Sequence, residues 1–325
     1  MIGQVYRGDF CELAAEMVRA GIRAACAITS PPYPQGKKNA EDMGRYRRKG
    51  TAAEQREQIT GRIHGRPHAR GNIGLDVRIM APDWLDWFLG IAAHVKPVLE
   101  PNGLFVVNVD SCCYPTRHRH WGIFSLPERM EKAGWCFADA WVWTKSNGAP
   151  MKAPGRFSHS WEMIYVFANG DRYRYNVDAA RAPHKRDWTG RDATRYMIET
   201  GTWYGTKTDP PNPKGARAID VLPYPVGMTR WADVGYAHNA PMPLGLAEDL
   251  VRRVSWQGDL ILDPFLGAGT TAVAAIRGKR QWIGAEITDA AALVAERRIA
   301  LARDGFFGEE LSEGMSAPPL PLAQV

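Results

Sequence analysis

A serine, two prolines and a tyrosine follow one another near the start of the chain, as Ser30-Pro31-Pro32-Tyr33. The preceding residues, Ala25 to Thr29, form an apolar run with the character of a short strand. Proline lacks an N–H group and has a fixed φ, so the chain leaves this strand as a stiff turn whose carbonyl groups are not drawn into a sheet. The Ser30 hydroxyl and the turn carbonyls could then face a cleft, with the flat ring of Tyr33 available for stacking. The alternative is a strand-ending turn that carries an exposed tyrosine.

A second motif, near the end of the chain, has the order strand, turn and helix. The apolar residues Leu260 to Leu262 lead into Asp263-Pro264-Phe265-Leu266-Gly267-Ala268-Gly269-Thr270-Thr271. The two glycines allow a tight turn with close backbone approach, and the helix that follows would direct its free N–H groups at a ligand. The turn is not a P-loop, because no Lys-Ser/Thr pair follows the glycines. It also lacks the third glycine of a full dinucleotide fingerprint.

The next apolar run, from Gln281 to Ala285, ends in Glu286. A carboxylate at the end of the strand after a glycine turn suits the hydroxyl groups of a ribose, whereas the alternative is a surface glutamate. The chain ends at residue 325, so little of it follows this strand and most of the sheet must come from earlier residues. Candidate strands, with helical patterns between several of them, are Gln4–Tyr6, Cys26–Thr29, Gly103–Val109, Trp135–Trp143 and Ile164–Phe167. The pattern predicts an α/β fold with a mixed, mainly parallel sheet.

Together the two motifs resemble those of the amino-methyltransferases of DNA, in the permuted beta group whose catalytic motif precedes its cofactor motif. The resemblance covers most of the chain, including Gly8-Asp9, Leu99–Val106 and the segment from His238 to Ala247. It implies the Rossmann-like fold of S-adenosylmethionine-dependent methyltransferases, circularly permuted and with an inserted target-recognition region. The match is looser in residues 34–78 and 171–234, where no residue can be matched to the family.

The resemblance also implies the site residues. It places S-adenosylmethionine against Asp9, Asn239, Pro241, Asp263, Pro264, Phe265, Gly267, Gly269, Thr270, Thr271 and Glu286. A target base would be flipped out of double-stranded DNA and would stack on Tyr33. Its amino group would donate hydrogen bonds to Ser30 and to the Pro31 carbonyl, so the catalytic residues are Ser30, Pro31, Pro32 and Tyr33. Neither a metal ion nor a covalent intermediate is needed for this direct transfer.

Ser30 bears on which base is modified. Family members that methylate cytosine at N4 more often carry serine at this position, and those that methylate adenine at N6 more often carry aspartate. The resemblance therefore favours cytosine N4, with adenine N6 as the alternative. A non-catalytic DNA-binding protein of the same fold is a further alternative, against which the intact catalytic motif argues. Methylation of RNA or of a protein glutamine fits less well, because the motif in those enzymes usually begins with asparagine.

Positive charge is concentrated in the two segments that match the family least. The net charge is +6 with an isoelectric point of about 9.1. Residues 35–78 contain eleven Lys or Arg and five Asp or Glu, and residues 171–234 contain eleven and eight. Such segments are candidates for contact with DNA phosphates, although basic loops are also common on soluble proteins. The candidate DNA-binding residues are Lys37, Lys38, Arg45, Arg47, Arg48, Lys49, Arg181, Lys185 and Arg186.

The domain organisation and the cellular setting are expected as follows. Residues 1–170 would form the catalytic half, 171–234 the target-recognition insertion, 235–311 the cofactor-binding half and 312–325 a disordered tail. Five cysteines, an odd number without metal-binding spacing, indicate free thiols in a reducing cytoplasmic compartment. No cysteine has the proline-linked setting of a nucleophile, which argues against methylation of a ring carbon. No long apolar segment or signal peptide is found, so no membrane partner is expected, and the oligomeric state is not indicated.

Overall fold

The computed structural model describes residues 1–33, 81–110, 122–147, 157–184, 192–197, 202–207, 212–227, 229–231, 236–238 and 241–306. The α-helices in these segments are α1 (Phe10–Arg19), α2 (Ala81–Val95), α3 (Gly122–Lys132), α4 (Leu244–Val254), α5 (Thr270–Arg277) and α6 (Asp289–Arg303). A short 3₁₀ helix, Lys96–Val98, follows α2.

Eight of the described strands form the main sheet. They are β1 (Val5–Arg7), β2 (Ala24–Thr29), β3 (Leu99–Val109), β4 (Cys136–Lys145), β5 (Trp161–Ala168), β8 (Val221–Tyr224), β11 (Leu260–Asp263) and β12 (Gln281–Glu286). Two small antiparallel pairs lie outside it, namely β6 (Asp192–Met197) with β7 (Thr202–Lys207), and β9 (Thr229–Trp231) with β10 (Tyr236–His238).

The main sheet has the strand order β1-β12-β11-β2-β3-β5-β4-β8. Neighbouring strands from β1 to β3 run parallel, β5 is antiparallel to both β3 and β4, and β8 is parallel to β4. The carboxyl ends of all strands except β5, and the amino end of β5, therefore lie along one side of the sheet, here called the carboxyl edge. Ligands of open α/β sheets bind at this edge, so the residues that follow each strand are the candidates for chemistry.

Helices cover both faces of the sheet. Leu104 and Val106 of β3 face one buried cluster, which α4, α5 and α6 complete. Phe105 and Val107 alternate with them and face the opposite cluster, to which α1, α2 and α3 contribute. This alternation follows from the two-residue period of a strand, and burial on both faces explains why the strands are apolar almost throughout.

The structure confirms the predicted fold class and each strand inferred from the sequence. The helix expected after the glycine turn is α5. The last described helix, α6, follows β12. The segment 171–234, expected to be an insertion, contributes β8 to the main sheet next to β4.

Two further expectations concern membranes and thiols. Within the described segments, no helix is long and apolar enough to cross a bilayer. Cys11, Cys26 and Cys136 are free, as expected. Cys112 and Cys113 lie outside the described residues.

Candidate active site

The Ser30-Pro31-Pro32-Tyr33 turn begins directly after β2, at the carboxyl edge of the sheet. The indole Nε1 of Trp84, a buried residue of α2, donates a hydrogen bond of 2.6 Å to the Pro32 carbonyl. This bond ties the turn to a helix that is itself packed into the core through Phe88. The two prolines stiffen the turn, and the hydrogen bond from Trp84 to Pro32 holds it further in place.

The Tyr33 hydroxyl lies at the centre of a hydrogen-bonded group. It is 2.5 Å from Glu162 Oε2, 3.1 Å from Ser30 Oγ and 3.4 Å from Asn108 Oδ1. Glu162 is only 2% exposed, and its Oε2 also accepts a bond of 3.0 Å from Asn108 Nδ2. Burial, followed by the negative charge of Glu162, raises the pKa of Tyr33 well above its ordinary value. The tyrosine is therefore a neutral phenol at physiological pH.

Charged side chains extend this group along the ends of β3, β4 and β5. Lys145 Nζ is 2.6 Å from Glu162 Oε1 and 3.9 Å from Asp110 Oδ2. His159 Nε2 lies 2.7 Å from Asp110 Oδ1. These side chains are at most 17% exposed, so their attraction is weakly screened by solvent. No set of three or more His, Cys, Asp or Glu side chains in the described part of the chain is arranged to hold a metal ion.

The glycine turn after β11 uses its two glycines differently. Gly267 and Gly269 both have positive φ, +53° and +80°, which favours glycine at each. A Cβ built on Gly269 would lie 3.1 Å from the Cα and Cβ atoms of Ala295 in α6, so this glycine is required for packing. A Cβ on Gly267 would meet nothing closer than the Phe265 carbonyl at 3.9 Å, so the backbone there borders open space.

Two buried or half-buried side chains hold the glycine turn in place. The Gly267 N–H donates a bond of 2.8 Å to Glu286 Oε2, and the N–H of Thr288 donates one of 2.8 Å to Oε1. Buried Arg298 of α6 also donates hydrogen bonds to this turn, one to the Ala268 carbonyl and one to Thr270 Oγ1. The carboxylate of Glu286 therefore fixes the glycine turn, and its expected contact with a ribose stays a prediction.

Asp263 joins the glycine turn to the Ser30 turn. Its Oδ1 accepts a 2.7 Å bond from the Thr29 hydroxyl, and a 3.0 Å bond from the N–H of Phe265. Desolvation raises the pKa of Asp263 to about 6, although bonds from Thr271, Thr29 and the Phe265 N–H oppose this shift. Thr29 and Asp263 are both buried, so the link between β2 and β11 is sheltered from water.

The remaining residues expected at the cofactor site fall into three groups. Asp9 caps α1 by accepting a 2.7 Å bond from the Cys11 N–H, and the neighbouring Gly8 N–H donates to the Glu286 carbonyl at 3.0 Å. Asp9 and Glu286 are therefore close together at the carboxyl edge. Pro264, Phe265, Thr270 and Thr271 lie in or beside the glycine turn, and Pro241 is half-buried ahead of α4. Asn239 lies outside the described residues.

Of the candidate DNA-binding residues, the described segments include only Arg181. Its Nε is 2.8 Å from Asp178 Oδ1, and its Nη1 donates a 2.8 Å bond to the Gly215 carbonyl. With its side chain 9% exposed, Arg181 holds two loops together in this structure. Contact between Arg181 and DNA stays a prediction. Lys37, Lys38, Arg45, Arg47, Arg48, Lys49, Lys185 and Arg186 lie outside the described residues.

Sequence reasoning missed Trp84, Asn108, Lys145 and Glu162. They belong to four different elements. Strand pairing brings Asn108 and Glu162 to Tyr33 and Lys145 to Glu162. Helix packing brings Trp84 to Pro32. One signal was present, since Glu162 is a single charge within the otherwise apolar strand Trp161–Ala168. A charge in a strand buried on both faces must be paired, so this residue could have been marked as part of a site.

The sheet order, the glycine turn and the Ser30 turn at adjoining strand ends define the fold of DNA methyltransferases. Residues 24–297 match the model of the N6 and N4 methyltransferase family, described as DNA methylase, and the chain belongs to this family.

Individual proteins are similar at lower identity. The type II methyltransferase M1.MboII of Moraxella bovis is 29% identical over 158 residues, which cover 47% of this chain and 59% of that protein. The PvuII DNA methyltransferase, cytosine-N4-specific, has a TM-score of 0.57 at 17% identity, covering 93% of this chain and 91% of its own. TTHA0409 of Thermus thermophilus, complexed with S-adenosyl-L-methionine, has a TM-score of 0.54 at 22% identity, with coverage of 93% and 95%. These solved structures establish the fold, and the chain spans about three fifths of the length of M1.MboII.

Proposed function

We propose that this chain transfers a methyl group from S-adenosylmethionine to the exocyclic amino group of a base in double-stranded DNA. The observation that carries the proposal is the buried bond between Thr29 and Asp263. It joins the Ser30 turn to the glycine turn. The first contains the residue types that could hold an amine, and the second contains those that could hold the cofactor. Both turns lie at the carboxyl ends of the adjacent parallel strands β2 and β11.

The described residues fit S-adenosylmethionine. The open space beside Gly267 allows a ligand to approach the backbone, and Asp9 and Glu286 supply carboxylates at the neighbouring strand ends. When bound, the cofactor supplies an electrophilic methyl group on a sulfonium. TTHA0409, which shares the fold, has been solved with this molecule bound.

The protein's own contribution is to bind and orient the amine. Ser30 and the Pro31 carbonyl accept its hydrogen bonds, which draws the nitrogen lone pair out of conjugation with the ring, and Tyr33 supports the base by stacking. Such catalysis consists of positioning and electrostatic stabilisation, with no covalent step on the protein. The nitrogen lone pair forms a bond to the methyl carbon as the carbon–sulfur bond breaks, which leaves S-adenosylhomocysteine, a neutral thioether. The methylated nitrogen then gives its extra proton to solvent water and becomes a neutral secondary amine.

The base is proposed to be cytosine, modified at N4, because residue 30 is serine. Adenine N6 is the alternative that the family permits, and the likeness to the PvuII enzyme is too distant to decide between them. Type II proteins such as M1.MboII suggest that the modification is specific to a DNA sequence.

One assay tests the proposal and the base together. The purified chain is incubated with S-adenosylmethionine and amplified, unmethylated genomic DNA, which is digested to nucleosides and analysed by mass spectrometry. We expect N4-methylcytosine. N6-methyladenine alone would refute the assignment of cytosine but not the amino-methyltransferase activity. The proposed reaction would be refuted by 5-methylcytosine, or by the absence of any methylated base although the chain binds DNA. Long-read sequencing of the same DNA would give the recognition sequence.

A further inference from the structure

Glu162 is a buried carboxylate beside the catalytic turn to which the proposed function gives no role. It is the second residue of β5, and it contacts one residue from each of three other parts of the site. Its partners are Lys145 Nζ at 2.6 Å, Tyr33 Oη at 2.5 Å and Asn108 Nδ2 at 3.0 Å. Lys145 Nζ pairs with Oε1 and Asn108 Nδ2 donates to Oε2, so both carboxylate oxygens act as acceptors.

This acceptor determines the direction of the hydrogen bonds around Tyr33. A neutral phenol has a single hydroxyl proton, and the contact of 2.5 Å with a charged carboxylate is shorter than the 3.4 Å contact with the Asn108 carbonyl oxygen. The Tyr33 proton therefore points at Glu162. Because Ser30 Oγ is 3.1 Å from the same phenolic oxygen, Ser30 must be the donor in that pair.

The direction of the bond between Ser30 and Tyr33 decides what Ser30 can do for a substrate. A serine hydroxyl has one proton and two lone pairs, and here its proton is directed at Tyr33. Its lone pairs are left to accept, which an exocyclic amine requires because both of its hydrogens are donors. With its proton so directed, Ser30 is not available to donate to a ring nitrogen of the base.

We infer that Glu162 is a positioning residue, which acts through the Tyr33 hydroxyl to fix Ser30 as the hydrogen-bond acceptor for the target amine. This inference rests on the proposed function and deepens it. Lys145 is part of the arrangement because its ion pair keeps Glu162 an acceptor. Asp110, which is 2.7 Å from His159, is a second carboxylate near Lys145, at 3.9 Å.

A purely structural role for Glu162 is the competing explanation. Asn108, Lys145 and Glu162 belong to β3, β4 and β5, so their bonds also join three strands. The two explanations differ in one respect. If Glu162 acts through the Tyr33 hydroxyl, its charge should not matter for turnover once that hydroxyl has been removed.

A double-mutant cycle of Tyr33→Phe and Glu162→Gln tests this dependence. Tyr33→Phe keeps the ring for stacking and removes the hydroxyl, and Glu162→Gln keeps the volume and removes the charge. We expect each single variant to lower kcat by about tenfold to a hundredfold, with an unchanged affinity for S-adenosylmethionine in calorimetry. In the Tyr33→Phe background, Glu162→Gln should lower kcat by less than about threefold, since its route of action is already lost.

Multiplied effects in the double variant would overturn the inference, because Glu162 would then act independently of Tyr33. If Glu162→Gln does not fold, since it leaves Lys145 without its partner, Tyr33→Phe alone decides. A Tyr33→Phe enzyme that methylates amplified genomic DNA at the wild-type rate would also overturn the inference. The proposed function fails separately, through a wild-type chain that forms no methylated amine.

Discussion

At the scale of single residues, the two glycines of the glycine turn share a positive φ but differ in how closely they are packed. Both have positive φ, which costs an L-residue roughly 1 kcal/mol. Only Gly269 is closely packed against another element, since its added Cβ would lie 3.1 Å from Ala295. From the sequence alone the two glycines are equivalent, whereas the structure distinguishes a glycine that borders open space from one that is closely packed.

This difference predicts distinct effects of Gly267→Ala and Gly269→Ala. Gly267→Ala should lower the free energy of unfolding by only about 1 kcal/mol, yet weaken the binding of S-adenosylmethionine at least about tenfold. Gly269→Ala should lower stability by about 2–4 kcal/mol, because it adds overpacking to the backbone strain. Urea unfolding and isothermal titration measure the two quantities. A folded Gly267→Ala variant that binds the cofactor like wild type would refute the assignment of this turn.

Asp263 predicts a pH dependence of stability. Its pKa is raised to about 6 in the folded chain from an ordinary value of 3.8, so the folded state holds its proton to higher pH than the unfolded state. The free energy of unfolding should therefore fall as the pH rises from about 4 to about 6, by at most roughly 3 kcal/mol from this group. Asp263→Asn, which keeps an oxygen for Thr29 and for the Phe265 N–H, should remove that part of the slope. Equal slopes for variant and wild type in urea unfolding between pH 4 and 7 would contradict the prediction.

At the scale of elements, the Ser30 turn is held by a helix that is distant in sequence. Trp84 of α2 donates to the Pro32 carbonyl, and α2 in turn stacks Phe88 on Phe105 of β3. A second tryptophan of α2, Trp87, packs against Phe265 of the glycine turn at 5.5 Å between ring centroids. One helix thus contacts both turns of the site.

We therefore expect Trp84→Phe to lower methyl transfer more than stability. The variant keeps an aromatic ring in the core but removes the donor to the Pro32 carbonyl, which should cost about 1–2 kcal/mol of stability and about tenfold or more in kcat. Trp135→Phe is the matched control, since Trp135 is equally buried and packs on Phe105 away from the turn. Equal losses of kcat in the two variants, measured with saturating S-adenosylmethionine, would show that the bond to Pro32 has no special role.

The elements also explain how far the sequence could predict the site. The Ser30 turn and the glycine turn were predictable because each is contiguous in the chain and has a local cause, prolines in one and glycines in the other. The Glu162 group was not, because Glu162 approaches Tyr33 only through the antiparallel pairing of β5 with β3 and β4. The sequence does not show which residues of two distant strands lie opposite each other.

At the scale of the whole molecule, the permuted order of the motifs has a simple structural meaning. The last strands of the chain, β11 and β12, enter the sheet between β1 and β2, so the first and last parts of the chain build one carboxyl edge together. Ser30, Asp263, Glu286 and Glu162 all lie along this edge, although they are far apart in sequence. The opposite edge, where the other strands begin, carries none of the described candidate catalytic or cofactor residues, whereas Arg181 belongs to the segment that follows the end of β5 there.

The uneven distribution of basic residues predicts which segment of the chain contacts DNA. Arg45, Arg47, Arg48 and Lys49 belong to the segment that follows the catalytic turn in sequence, and that segment carries a large part of the basic excess. Binding to phosphates releases condensed counterions, so each lost contact reduces the salt dependence of affinity. Changing these four residues to glutamine should weaken DNA binding for all sequences and reduce the slope of log K against log salt by up to about 3–4.

A matched control is available at the opposite edge of the sheet. Arg19, Arg23, Lys132 and Lys279 are exposed and lie close before β2, β4 or β12 begins. Changing these four to glutamine removes the same charge, and because they are remote from the carboxyl edge the salt slope should change by less than about 1. Fluorescence anisotropy with a labelled duplex, titrated between about 50 and 200 mM salt, compares the two variants at the ionic strengths where phosphate contacts are most evident. Equal slopes would mean that net charge alone attracts DNA, whereas a reduced slope in the first variant only would assign phosphate contacts to the segment that follows Tyr33 in sequence.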